Sequence, residues 1–204
     1  MSIYERALGN QFRKMHPKLQ ERYLFEGDRP FRAKGVMDYV YRGSTFLYPL
    51  YRLGLKRKLL FPEHGRDIPF TIINTPCKGN DGEQQIHWQR EFHFENKKRY
   101  FNALMSFDEH SHMIKDYFGE PPIFYSDLSF TVTKAKGLKI ESKQQRLVIG
   151  RMEIPVPKLF QGVATVIEEF DDVEKNFLIH VKVTNPLVGN LMSYKGRFAT
   201  DDIS

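Results

Sequence analysis

Between residues 86 and 94 apolar and polar side chains alternate almost without a break. Ile86, Trp88, Arg90, Phe92 and Phe94 fall on one side, and His87, Gln89, Glu91 and His93 on the other. A period of two is the mark of a strand with one buried face, and a helix cannot hold such a pattern on one side. The same alternation returns in Phe101, Ala103, Met105 and Phe107, in Phe124, Ser126, Leu128, Phe130 and Val132, in Phe177, Ile179, Val181 and Val183, and in Met192, Tyr194, Gly196 and Phe198. Turn residues bracket the first of these runs, Asn80-Asp81-Gly82 before it and Glu95-Asn96-Lys97 after it. Further strands are expected near 31–41, 66–75, 111–118, 138–143, 145–150 and 162–170, for about ten or eleven short strands in all. Strands that follow one another through tight turns, with no helices between them, exclude a doubly wound nucleotide-binding sheet and point to an antiparallel meander.

Helical patterning is confined to the beginning of the chain. Leu8, Phe12, Met15, Leu19 and Tyr23 fall within an arc of about 80° on a helical wheel. Pro17 interrupts them, so the spacing predicts a kink, or two short helices with Pro17 in the first turn of the second, both resting on one surface. Gly27 is expected to end the helix. A second helical stretch is expected over 45–60, where Phe46, Leu47, Leu50 and Leu53 share a side, although Pro49, Gly54 and Arg57 disturb the wheel. Ile154-Pro155-Val156-Pro157 reads as an irregular crossing between strands. The expected fold is therefore mainly β with N-terminal helices (α+β): an antiparallel β-barrel or half-barrel, calycin-like, with a helix-grip sheet as the alternative. One domain is expected over 1–204, residues 1–30 packing as a helical segment on a barrel of 31–204 with a helical insertion near 45–60.

Composition narrows the partners. The 204 residues are 41% hydrophobic and 27% charged, with a net charge of +6, the balance of a chain that builds a core. Basic residues run from Arg6 to Arg197, and the densest cluster is Lys56-Arg57-Lys58 with Arg52 one turn earlier. That spread argues against nucleic acid, and the imperfect wheel around 45–60 predicts at most weak contact with a membrane surface. A single cysteine, Cys77, excludes an internal disulfide. No apolar leader opens the sequence, so a cytoplasmic location is expected. His110 and His112 sit in a turn-like segment, and His87 and His93 are about 20 Å apart along one strand. No metal and no cofactor is expected, and no catalytic residue is assigned, because Gly-rich phosphate loops and nucleophile motifs are missing.

Arg90 is the residue that asks for an explanation. It interrupts an otherwise apolar strand face, and a guanidinium held inside must be paired or serve as an anchor for an anion. Asp116, which shares a face with Ile114 and Phe118, is its first expected partner; Glu120, Glu141 and Glu169 are the others. Either Arg90 closes a structural ion pair, or it holds the acidic head of a ligand bidentately.

Several short pieces, in order along most of the chain, carry a resemblance: Gly35-Val36-Met37, Trp88-Gln89-Arg90-Glu91-Phe92, Asp116-Tyr117-Phe118-Gly119-Glu120-Pro121, Ile154-Pro155-Val156-Pro157-Lys158-Leu159, Asn185-Pro186-Leu187-Val188-Gly189-Asn190-Leu191 and Tyr194-Lys195-Gly196. With them the chain resembles the bacterial "domain of unknown function 4166" family, whose W-x-R-x-F pattern maps onto Trp88, Arg90 and Phe92. Relatives often carry the domain after a dehydrogenase-like one, but the resemblance brings no activity with it. The expected function is a binding module for a small amphipathic or lipid-like ligand in an aromatic-lined cavity, with Arg90, Trp88, Phe92, Asp116 and Tyr194 as its binding residues. The alternatives are an enzyme, an accessory domain to an oxidoreductase-like enzyme, or a protein-docking module.

Overall fold

The computed structural model describes residues 1–25, 27–150 and 152–200. Three helices and twelve strands are formed there. The helices are α1 (Ile3–Leu8), α2 (Pro17–Leu24) and α3 (Tyr48–Lys56). The strands are β1 (Phe31–Arg42), β2 (Gly65–Lys78), β3 (Gln84–Phe94), β4 (Lys97–Tyr100), β5 (Ala103–Asp108), β6 (Met113–Phe118), β7 (Phe124–Val132), β8 (Leu138–Ile149), β9 (Met152–Pro155), β10 (Val163–Asp171), β11 (Asn176–Asn185) and β12 (Gly189–Thr200).

Ten of these strands close an antiparallel, calycin-like barrel. Neighbours in the ring follow the chain, from β1 through β2, β3, β5, β6, β7, β8, β10 and β11 to β12, which returns to β1. Closure removes the sheet edges that an open meander would leave unpaired. Two short strands lie off the ring: β4 pairs with β3, and β9 with the outer half of β8. At Gly35 and Gly196 the β1–β12 pair comes too close for any side chain, since a Cβ on Gly35 would lie 1.9 Å from the Arg197 carbonyl oxygen.

The inward faces are those the alternation marks out. Ile86, Trp88, Phe92, Ala103, Met105, Leu128, Ile179, Val181, Tyr194 and Phe198 are all buried in one core cluster. The seam that closes the ring is short: β8 meets β10 only from Glu141↔Thr165 to Leu138↔Glu168. Beyond it the two strands part, β8 turning outward to carry β9. Side chains hold the parted edges together. Gln145 donates from Nε2 to the Gly162 carbonyl at 2.7 Å and accepts from the Gly162 amide at 2.9 Å, and Ser142 Oγ accepts from the Ala164 amide at 2.8 Å.

The helices cover the two ends. Pro17 stands in the first turn of α2, and His16 caps it with Nδ1, where the missing proline amide costs nothing. Leu8, Phe12, Met15, Leu19 and Tyr23 are all buried, although Phe12 lies in a 3-10 turn (Gly9–Lys14) rather than an α-helix. The helix stops at Leu24, with Phe25 in the left-handed region, three residues before the Gly27 expected to end it. α2 closes the end where β1 starts, inserting Arg22 among Phe31, Trp88 and Phe198. α3 lies at the other end, tied down by the Tyr51 hydroxyl, which accepts from the Gly43 amide and donates to the Leu191 carbonyl, both at 2.8 Å.

Four local readings need correction. Residues 138–143 and 145–150 form one strand, because the irregularity between them is a bulge, not a turn. Residues 99–107 split into β4 and β5, because Phe101 and Asn102 turn the chain inward. Ile154 and Pro155 belong to β9: a proline can end a strand that has no further neighbour on its outer side. In the second helix Pro49 is harmless in the first turn, but the buried side is Leu47, Tyr51 and Gly54, while Phe46, Leu50 and Leu53 are exposed.

Candidate functional site

The parted seam opens an apolar pocket of about 270 Å³. Leu50 and Leu53 of α3 form one wall, Leu147, Val156 and Phe160 the opposite one, and Val183 and Leu191 the floor toward β11 and β12. Two tethers hold the outer wall in place. Asn185, at the end of β11, donates from Nδ2 to the Leu159 and Gln161 carbonyls at 2.8 and 2.9 Å, fixing the 3-10 turn (Lys158–Phe160). The same side chain accepts from the Leu187 and Val188 amides through Oδ1. Asn185 and the Ile154–Leu159 piece, 26 residues apart, thus build one structure.

Next to this pocket lies a second, smaller space of about 30 Å³, about the size of a water. Trp88, Arg90, Asp116, Leu128 and Ser142 line it, and Phe101, Phe118 and Ala164 separate it from the larger pocket, lining both. Arg90 is 6% exposed and Asp116 5%. The guanidinium stacks on Phe101, its carbon 4.3 Å from the ring centre, and lies 5.7 Å from the Trp88 ring.

The ion pair expected between Arg90 and Asp116 is not closed. Among the described residues, Arg90 Nε and Nη2, Asp116 Oδ1 and the Tyr194 hydroxyl make no hydrogen bond of good geometry, although Arg90 lies close enough to the Tyr194 hydroxyl to pull its pKa down. The two charges still sense each other. Burial pushes the Asp116 carboxyl up to about 7, with Arg90 opposing the shift. Burial likewise raises Tyr194, and Arg90 draws it back. The Arg90 guanidinium and a carboxyl raised by burial, Asp116, therefore line one small space, and the Tyr194 phenol lies near Arg90 without lining it.

The remaining sequence-level candidates fall elsewhere. Phe92 is buried in the aromatic cluster of Phe61, Phe70 and Tyr194, one step along the strand from Arg90. Glu120 is on the outside, bonded to His87, Asn102 and Lys58. Glu141 is on the outside with Lys139 and Lys143. His93 bonds Thr71, and His112 lies in a turn. Among the described residues no three His, Cys, Asp or Glu side chains converge as a metal site would require. Burial raises the Cys77 thiol, leaving it a poor nucleophile.

Two features escaped the sequence reading. One is Phe101, read only as a core aromatic, which stacks on the cation and forms the partition between the two spaces. The other is Arg22, buried with Glu168 at the closed end. Its signal was present in the sequence, a basic residue next to Tyr23 on the buried stripe.

No solved structure matches the chain. "Uncharacterized protein YndH" of Bacillus subtilis (strain 168) is 40% identical over 201 residues, which cover 98% of each chain. The family model described as "Domain of unknown function (DUF4166)" matches residues 15–198, so it spans the barrel, the parted seam and Arg90 alike, and the chain belongs to that family.

Proposed function

We propose that the barrel binds a small amphipathic ligand, its apolar part in the pocket at the parted seam and its acidic head directed to Arg90. The observation that carries this reading is the pair of buried donors, Arg90 Nε and Nη2, which meet no acceptor among the described residues and border a small space next to an apolar pocket. A buried guanidinium that only served the fold would be expected to have its donors satisfied. A carboxylate, sulfonate or phosphate matches that fork bidentately. Phe101 sits in the way, so the head reaches Arg90 by turning this ring aside, and the ligand must be small because the pocket is at the lower end of the usual range. Asp116 supports the same reading: in its protonated form it leaves the cation free for an incoming anion.

The test uses anilinonaphthalene sulfonate, an apolar anion, and its displacement by fatty acids of increasing chain length. Fluorescence should rise on binding the wild-type protein, and Arg90→Met should weaken binding about tenfold, the loss of one charge-assisted contact. Solvent extraction of natively purified protein followed by mass spectrometry should release an acidic amphiphile. A wild-type protein that binds no probe and releases no small molecule would overturn the reading.

A further inference from the structure

The apolar wall of the pocket does not stop at its mouth. In the β8–β9 ribbon Leu147 stands opposite Ile154 and Ile149 opposite Met152, so these four side chains share one face of the ribbon. Leu147 on that face lines the pocket. Ile149, Ile154, Met152 and the nearby Phe160 are exposed, Met152 at 62% and Phe160 at 71%. Leu53, on the far side of the mouth, is half exposed as well. An apolar rim of this extent, continuous with a pocket, calls for a partner.

Charge identifies the partner. Residues 39–62 and 138–162, the segments that carry α3 and the ribbon, hold ten basic residues and two acids, an excess greater than the net charge of the whole chain. Lys58, Lys139, Lys143 and Arg146 among them are paired with acids. Of the two acids, Glu141 is held by Lys139 and Lys143, and Glu153 is turned to the other face of the ribbon, where it accepts from the Tyr125 hydroxyl at 2.7 Å. Arg52, Lys56 and Lys158 are exposed and form no ion pair with a described residue. Exposed apolar side chains ringed by unpaired cations suit the surface of an anionic bilayer, into which the apolar groups insert while the cations meet the headgroups.

We propose that the mouth of the pocket, formed by α3, the β8–β9 ribbon and the turn at Lys158–Phe160, docks on anionic lipid membranes. The helix wheel of 45–60 alone predicts feeble contact; the ribbon adds apolar side chains that this wheel did not contain. Docking goes beyond the ligand reading and does not depend on it. It would nevertheless place the pocket against the hydrocarbon, so that an amphiphile could enter without crossing water.

Cosedimentation with phosphatidylcholine vesicles containing about a quarter phosphatidylglycerol tests the proposal. The wild-type protein should pellet at about 0.1 M salt, pellet much less at about 0.5 M, where charges are screened, and stay in solution with phosphatidylcholine alone. The double variants Ile149→Asp/Met152→Asp and Arg52→Glu/Lys56→Glu alter exposed residues and should melt like wild type while losing about tenfold or more in vesicle affinity. Arg90→Met should pellet as wild type does, which separates docking from ligand capture. Wild-type protein that stays in solution with the anionic vesicles would overturn the proposal. So would ribbon variants that pellet undiminished. A wild-type dimer in light scattering that the ribbon variant turns into a monomer would give the face to a second copy and overturn it equally.

Discussion

Two arginines are buried in this barrel, and they are buried differently. Arg22 at the closed end is 2% exposed, and its fork is answered on every side. Glu168 takes Nε and Nη2, Asn74 Oδ1 takes Nη1 at 3.1 Å, and the Tyr23 hydroxyl donates to the same carboxylate at 3.2 Å. Burial works against its charge, but Glu168 and the neighbouring Tyr23 and Tyr4 together outweigh it and its pKa is raised. Arg90 has the Phe101 ring against it, a carboxyl near it and two donors that meet no acceptor among the described residues. Similar burial thus conceals different surroundings. The network of Arg22 ties α2 to β10 and β2 and satisfies the guanidinium, leaving only Asn74 Nδ2 without a partner among the described residues of the network. The open set around Arg90 keeps its hydrogen-bonding capacity in reserve.

The sharpest way to break this comparison is Arg22→Met. It strands Glu168 in an apolar interior and should cost about 3–5 kcal/mol in urea unfolding. Wild-type stability would mean that water reaches Glu168 and that the end is not closed.

Next comes the pH dependence contributed by Asp116. Its carboxyl is raised from 3.8 to about 7 by burial. Between those values the folded state holds a proton that the unfolded state has lost, so stability falls as pH rises from about 4 to 7 and levels off above. The full shift corresponds to about 4 kcal/mol. Asp116→Asn should flatten this part of the profile and recover some of that stability at pH 8. Identical profiles for wild type and variant would show that Asp116 is better solvated than its burial implies.

Arg90→Met should have a smaller effect, one that changes with pH. Below about pH 7 Asp116 is protonated and no charge is stranded, so the cost should be about 1 kcal/mol, the change in packing alone. Above it the carboxylate loses the one cation that favours its ionised form, and the cost should grow. A penalty as large as that of Arg22→Met at pH 6 would make Arg90 a structural residue and erase the contrast.

Arg197 supplies the surface reference. It donates to Asp38 at 3.0 Å with both side chains well exposed. Arg197→Met should shift stability by less than about 0.5 kcal/mol, so that removal of a cation ranks by burial and by what is left behind rather than by the presence of a partner.

The sequence by itself determined the barrel wall. Period-two patterning in segments such as 86–94 and 192–198 is a local property, because each residue's face follows from its parity once one face is buried. It also put Arg90 on the inward face, for the same reason, and left Pro17 as either a kink or a helix start. Only the tertiary structure decided what those residues meet. Whether Arg90 is paired depends on Phe101 leaving the strand pattern to stack on it, and whether Arg22 is paired depends on Glu168, 146 residues away. The parting of β8 from β10 was equally out of reach, since it rests on the side chains of Gln145 and Ser142 bonding backbone that β10 would otherwise have paired. The sides of α3 show the limit most plainly. Its wheel marks Leu50 and Leu53 as apolar, but whether apolar residues turn to the core or to an open mouth is settled by where the neighbouring elements stop.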